Sequence, residues 1–364
     1  MRIKKSVLKF WAALVAKVLP TTQFSLPIHK AIVLKANESG GVTVYANSEY
    51  NALMLVNIPA QDVFPEVAVS ADGLVHACVG ESDELHLDFS DDHTILNVVS
   101  KKTRFSLEVA DMSTFEHPAL DPELAFVDCG SVKKDKFISL LKSAGPFLSK
   151  DISRPYVMGV LLVGKYMYAT TITSIMRTES GYNFAEGINF IPQGVLEVLG
   201  SGGKDDADVH IAVSETWVRF TAGEVTFFTK RHGTEGEFDY PALDSELLSI
   251  GTHTGSAKIN LESLRKALAS TEYFAKEFVR VILDRKGSRL EAFHNKRVIA
   301  KAPFTGTYQH ATALEIVFEI AQIKSMLSID AKEITMRVQG SLESVGFSVD
   351  NVNYLMLPAV LDDT

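Results

Sequence analysis

Cysteine is nearly absent: the 364 residues contain two, Cys78 and Cys129, and neither sits in a CxxC or Cys/His spacing. That excludes a disulfide framework and argues against a zinc site, and it points to a reducing compartment. No apolar run reaches the roughly 18 residues that a bilayer-spanning helix needs. Cationic charge is in deficit, with 36 Lys and Arg against 45 Asp and Glu and a net charge of −9. Taken alone, that balance argues against a partner as acidic as DNA. A P-loop, a nucleophile elbow, an HExxH helix and a GxGxxG turn are also missing. The densest mixed-charge stretch, "RHGTEGEFD", holds Arg231, His232, Glu235, Glu237 and Asp239. It lies between an alternating strand and a linker, the setting of a solvated hairpin loop rather than a catalytic pocket. No catalytic residue, metal or cofactor is expected.

What is present is a pattern. The opening "MRIKKSVLKFWAALVAKVLP" has the basic start of a signal peptide, but Lys9 and Lys17 interrupt its apolar stretch. At 100° per residue, Val7, Trp11, Leu14, Val15 and Val18 share one face, and Lys5, Lys9, Lys17, Ala12, Ala13 and Ala16 the other. This is an amphipathic helix packed on a core. Similar helices are predicted at "SVKKDKFISLLKSAG", stopped by Gly145 and Pro146, and at "NLESLRKALASTEYF".

Each of these helices is followed by alternating strands. They read "HKAIVLKA" with "GVTVYANS", then "YVMGVLLVGKYMYATTI", then "VRVILDRKGSRLEAF". A shorter apolar stretch comes next: "ADGLVHACVG", "PQGVLEVLGSG" and "EIAQIKSMLSI". A hairpin closes each unit, with turns at Asp91-Asp92, Ala222-Gly223 and Asp350-Asn351. The chain therefore repeats at a period of about 120 residues. The expectation is an α+β protein of three repeated domains, 1–121, 122–249 and 250–364, each with two helices packed on antiparallel sheets. Linkers fall at "HPALDPE" and "ALDSELLSIGTHTGSA".

Five stretches in register resemble the bacterial DNA polymerase III β-subunit, the sliding clamp, and its phage-encoded relatives. "SLPIHKAIVLKA" is similar to the family's L-P-I strand entry, and "KKTRFSLEVADMSTF" to its S-R-F-x-L stretch ending the first domain. "SRPYVMGVLL" resembles R-x-Y-L-N-G, "HGTEGEFDYPAL" resembles G-R-F-P-D-Y, and "NYLMLPAVL" resembles the terminal Y-V-h-M-P-h-R-L. The resemblance covers nearly the whole chain. It implies half of a six-domain ring, closed head to tail as a homodimer, with helices lining a hole for duplex DNA. Such a ring tethers the replicative polymerase and catalyses nothing. Its partners are double-stranded DNA without sequence preference, the polymerase and the clamp loader. It works in the bacterial cytoplasm or in a phage-infected cell, away from membranes.

The resemblance turns the charge objection around, because the amphipathic helices are locally basic. Lys5, Lys9 and Lys17 belong to the first, Lys133, Lys134, Lys136 and Lys142 to the second, and Arg265 and Lys266 to the third. Ammonium groups meeting phosphates give salt-sensitive contact without base readout. Lys150, Arg154 and Tyr156 match the family's DNA-touching loop and strand. A hydrophobic groove for short linear peptides is carried over by position onto Val157, Thr173, Ile175, Met176, Arg177, Leu243 and Phe278. Its share of the terminal strand is Met356, Leu357, Pro358, Ala359, Val360 and Leu361. Phe105 and Leu107, with Tyr273 and Phe274, match the contacts that close the ring; the bland alternative is that all four are intradomain core.

This chain departs from the family at the groove. The family's T-D-G-H-R-L reads "TSIMRT" from Thr173 to Thr178, so Asp, His and Leu are gone while Thr173 and Arg177 remain. The proline of F-P-D-Y is missing between Phe238 and Asp239. Val360 replaces the penultimate arginine, and Asp362, Asp363 and Thr364 follow it. Glu319 and Gln322 stand where the family tends to carry Asn and Tyr. A groove that reads a different peptide is expected. The competing reading is a monomeric three-domain scaffold that binds peptides and never encircles DNA. A trimeric two-domain clamp, with about two-thirds of this length, fits three repeats poorly.

Overall fold

The computed structural model of the protein describes residues 1–19, 30–37, 40–62, 66–77, 83–101, 103–113, 115–151, 153–201, 207–232, 240–294, 297–310, 312–349 and 352–360. Two compact units result: Met1–Ser139 with Phe190–Arg231, and Leu140–Asn189 with His232–Thr364.

Three 11-residue helices, Lys5–Val15, Lys134–Ala144 and Leu261–Thr271, each follow directly on a strand. Their starts, at 5, 134 and 261, lie 129 and 127 residues apart. Three shorter helices, Ala71–Ala77, Pro192–Leu199 and Ile320–Leu327, recur in the same order. The first long helix buries Leu8, Trp11, Leu14 and Val15 and turns Lys9 and Ala13 outward, as the 3.6-residue period dictates. Each such buried Leu or Val contributes roughly 1.5–3 kcal/mol. Asn260 starts the third helix by accepting a hydrogen bond from the Ser263 amide at 2.8 Å.

All strand pairing described is antiparallel. Twelve strands of the first unit form one continuous run. At its middle, Asn51–Ile58 pairs with Val225–Lys230, placing Leu53 opposite Phe227 and Leu55 opposite Val225. The second unit holds a seven-stranded and a four-stranded sheet. In the larger, Ser174–Phe190 pairs with Val352–Met356, and Ile175 faces Leu355. The fold is α+β, helices on antiparallel sheets.

Two local expectations are corrected. "PYVM", read as the start of a strand, is a helical turn, Pro155–Met158, and the strand begins at Val160; Pro155 in the first turn costs no hydrogen bond and favours helix entry there. "ALDSELLSI", read as linker, lies mostly within the helix Tyr240–Ser249. Its Leu247 packs with Leu161, Tyr168, Ile175 and Leu355, and that burial overrides a turn-like composition. The turn expected at Asp350-Asn351 and the stretch 233–239 lie outside the described residues.

Candidate peptide groove, DNA face and subunit edge

The residues expected to line a peptide groove all belong to the second unit, and burial divides them. Val157, Ile175, Met176 and Met356 are buried. Thr173, Phe278, Pro358 and Ala359 are half-buried, whereas Leu357 is 42% and Val360 71% exposed. The side chain of Leu243 and all of Leu361 fall outside the described residues.

The terminal segment is fastened on both sides. The Leu357 amide donates to the Thr173 carbonyl and the Ala359 amide to the Val317 carbonyl, both at 2.8 Å. Gln322, itself buried, donates from Nε2 to the carbonyls of Thr173 and Leu357, each at 3.0 Å. Its Oε1 accepts from the Glu319 amide at 2.9 Å, which completes a capping box on the helix Ile320–Leu327.

Beside this lies a polar cluster. Arg177 pairs with Asp244, and its guanidinium stands 4.7 Å from the centre of the Tyr166 ring. Tyr168 donates its hydroxyl to Asp244 at 3.0 Å. Burial and then the Asp244 carboxylate push the Tyr168 phenol well above its ordinary value, so it remains a donor. Sequence reasoning missed Tyr168, Asp244, Leu247 and the hairpin tip at Ile172, because the second linker read as loop and backbone angles leave no residue signature.

The basic side chains differ in what they touch. Lys9, Lys136, Lys142 and Lys150 are exposed. Lys5 is half-buried, and Lys17 donates to the Glu197 carbonyl at 2.8 Å. Lys133 pairs with Asp208 and Lys266 with Glu262, each at 2.8 Å, and Arg154 lies 3.9 Å from Asp151. Arg265 donates to the Leu327 carbonyl at the end of a helix, at 2.8 Å. Lys134 departs from expectation: only 3% exposed, it sits at a strand-to-helix junction whose amide donates to the Ala207 carbonyl. It cannot belong to a solvent-facing surface as placed. The side chain of Tyr156 lies outside the described set.

The residues expected to close the ring lie on a strand of the first unit, Thr103–Ala110, and in a single helical turn of the second, Glu272–Phe274. In the first unit, Thr103–Ala110 pairs with Ile95–Ser100 along its length, but with Val67–Ser70 only through Val109 and Ala110. Phe105 and Leu107 are half-buried there, and Leu107 rests so closely on Gly73 that a Cβ there would stand 2.6 Å away. In the second unit, Tyr273 is 90% exposed and meets the Phe274 ring edge-on at 5.3 Å. The outer strand of the four-stranded sheet, Arg297–Phe304, exposes Val298 and Ile299, which sequence reasoning did not single out.

Elsewhere in the first unit, an apolar cavity of about 660 Å³ is walled by Val7, Phe10, Trp11, Leu55, Ile58 and Val225. Among the described residues no cluster of His, Cys, Asp and Glu could hold a metal, and no helix is long and apolar enough to cross a membrane.

No protein-family profile matches the chain, and no curated protein matches it. Solved structures do. The DNA polymerase III subunit beta of Pseudomonas aeruginosa is 20% identical, with a TM-score of 0.84 over 99% of both chains. Caulobacter crescentus pol III beta gives 16% and 0.86, and the Bacillus subtilis DNA polymerase sliding clamp 14% and 0.80, again over 99% of both chains. The chain has the sliding-clamp fold along its whole length.

Proposed function

We propose that this chain is a DNA polymerase processivity factor. Two copies close head to tail into a ring around duplex DNA, and the second unit's groove tethers a replicative polymerase and a clamp loader through short peptides. The observation that carries this reading is the sliding-clamp fold over 99% of the chain. A three-domain division at 1–121, 122–249 and 250–364 goes with it, as does a role without catalysis.

Two features support ring closure. Among the described residues, one side of the strand Thr103–Ala110 pairs only through Val109 and Ala110, and the other unit bears exposed Val298 and Ile299 on an outer strand and exposed Tyr273 and Phe274 in the turn Glu272–Phe274. Joining such edges satisfies unpaired main-chain groups and covers apolar surface together. Exposed Lys9, Lys136, Lys142 and Lys150 suit sliding, because long, solvated ammonium groups attract phosphates without fixing a base register.

The test is assembly and topology. Size-exclusion chromatography with light scattering should show a dimer, and Phe105→Asp combined with Leu107→Asp should leave a folded monomer. On DNA, the wild type should stay on nicked circular plasmid at high salt and slide off once the plasmid is cut. Equal retention on circular and linear DNA would contradict encirclement.

A further inference from the structure

Five non-glycine residues among those described have positive φ: Asn57, Asp62, His93, Lys101 and Ile172. The first three belong to residue types that tolerate this region, and Lys101 is unbranched. Ile172, at φ 83°, is β-branched, and there the backbone crowds a Cβ carrying two heavy substituents. It occupies the hairpin tip between the strands Val160–Thr170 and Ser174–Phe190, where a two-residue turn with positive φ at its first central position favours glycine.

The tip is held from several directions. The Ile172 amide donates to Thr170 Oγ1 at 3.0 Å, and that hydroxyl donates to the Ser174 carbonyl at 3.0 Å. The Thr171 amide donates to the same carbonyl. On the other flank, Thr173 accepts from both Gln322 and Leu357. Strain persists only where surroundings over-determine it, and it collects at ligand sites. Burial inside the fold is incomplete, because Ile172 remains 45% exposed. Leu357, whose amide is bonded to the carbonyl of the adjacent Thr173, and Val360 three residues further on are exposed too.

We infer that Ile172 is a specificity-determining contact of the groove, presented in a strained conformation to an aliphatic anchor side chain of a partner peptide. This rests on the peptide-groove reading above. Much of the local main chain is engaged: Leu357 N–H and C=O and Ala359 N–H are bonded within the protein, and Pro358 has no N–H. An incoming peptide therefore gains little here from adding a strand and must be read by apolar side chains.

The experiment measures two quantities whose signs oppose. Fluorescence anisotropy follows labelled acetyl-Ser-Leu-Ser-Leu-Phe-amide, with an all-serine peptide as control, and calorimetry gives Tm. The wild type should bind the leucine peptide and not the control. Ile172→Gly should raise Tm yet bind about tenfold more weakly. Ile172→Ser should also bind weakly, and Ile172→Val should retain both wild-type values. Wild-type affinity in the Gly and Ser variants would overturn the role of Ile172 while leaving the groove intact. No binding by the wild type would overturn the reading of this groove as one for leucine-bearing peptides, and this inference with it. A wild-type dimer that dissociates in Ile172→Ser would assign the patch to a second copy and equally contradict a peptide contact.

Discussion

His117 and Ile172 are both costly residues at connections, and the chain treats them in opposite ways. His117, a polar and titratable side chain, is buried among the rings of Tyr45, Phe115 and Phe228. Its Nδ1 accepts from the Ala119 amide and its Nε2 donates to the Leu53 carbonyl, both at 3.1 Å, so the neutral ring is fully satisfied. Ile172, an apolar side chain, stays 45% exposed on a strained backbone. The first arrangement completes itself; the second makes physical sense when something outside the chain covers it. Buried and satisfied marks scaffold, while strained and exposed marks a binding surface.

The largest predicted effect breaks the first half of that contrast with acid. Desolvation lowers the His117 pKa from 6.5 to about 4. Between those values the unfolded chain binds a proton that the native state refuses, so stability falls as pH drops from 6.5 to 4. The loss is about 3 kcal/mol, read as the difference between urea-unfolding free energies at the two pH values. In His117→Gln this part of the slope should vanish.

Next in size is Gln322→Ala, which strips two donors from the carbonyls of Thr173 and Leu357 and should cost about 2 kcal/mol. Because it loosens the tip that presents Ile172, peptide affinity should fall with it. Ile172→Gly sharpens the second half: relief of strain, offset by glycine's backbone entropy, should stabilise by up to about 1 kcal/mol. The smallest effect concerns engaged against available lysines. Lys9→Gln with Lys136→Gln, which removes four ammonium groups from a two-copy ring, should make the slope of log affinity for duplex DNA against log salt shallower by up to about 4, whereas Lys133→Gln, paired with Asp208, should change it less.

Much of the architecture could be read from residue order because burial imposes periods. Trp11, Leu14 and Val15 repeat at helical spacing, and strands such as "ELHLDF" alternate. The helix Tyr240–Ser249 could not be read this way, since its Pro, Asp and Ser content mimics a turn while Leu247 decides the matter through distant partners. Lys134 misled because a formal charge says nothing about the junction that buries it. For the expected groove, position singled out Leu357 and Val360, which the fold leaves exposed, but the Thr170 clamp on Ile172 exists only once the hairpin is built.

Small-angle X-ray scattering across a concentration series tests the central claim most directly. The account predicts a mass near twice 39.9 kDa and a pair-distance distribution with a hollow centre. A compact dimer without a cavity, or a monomer at every concentration, would contradict the ring and leave a peptide-binding scaffold in its place.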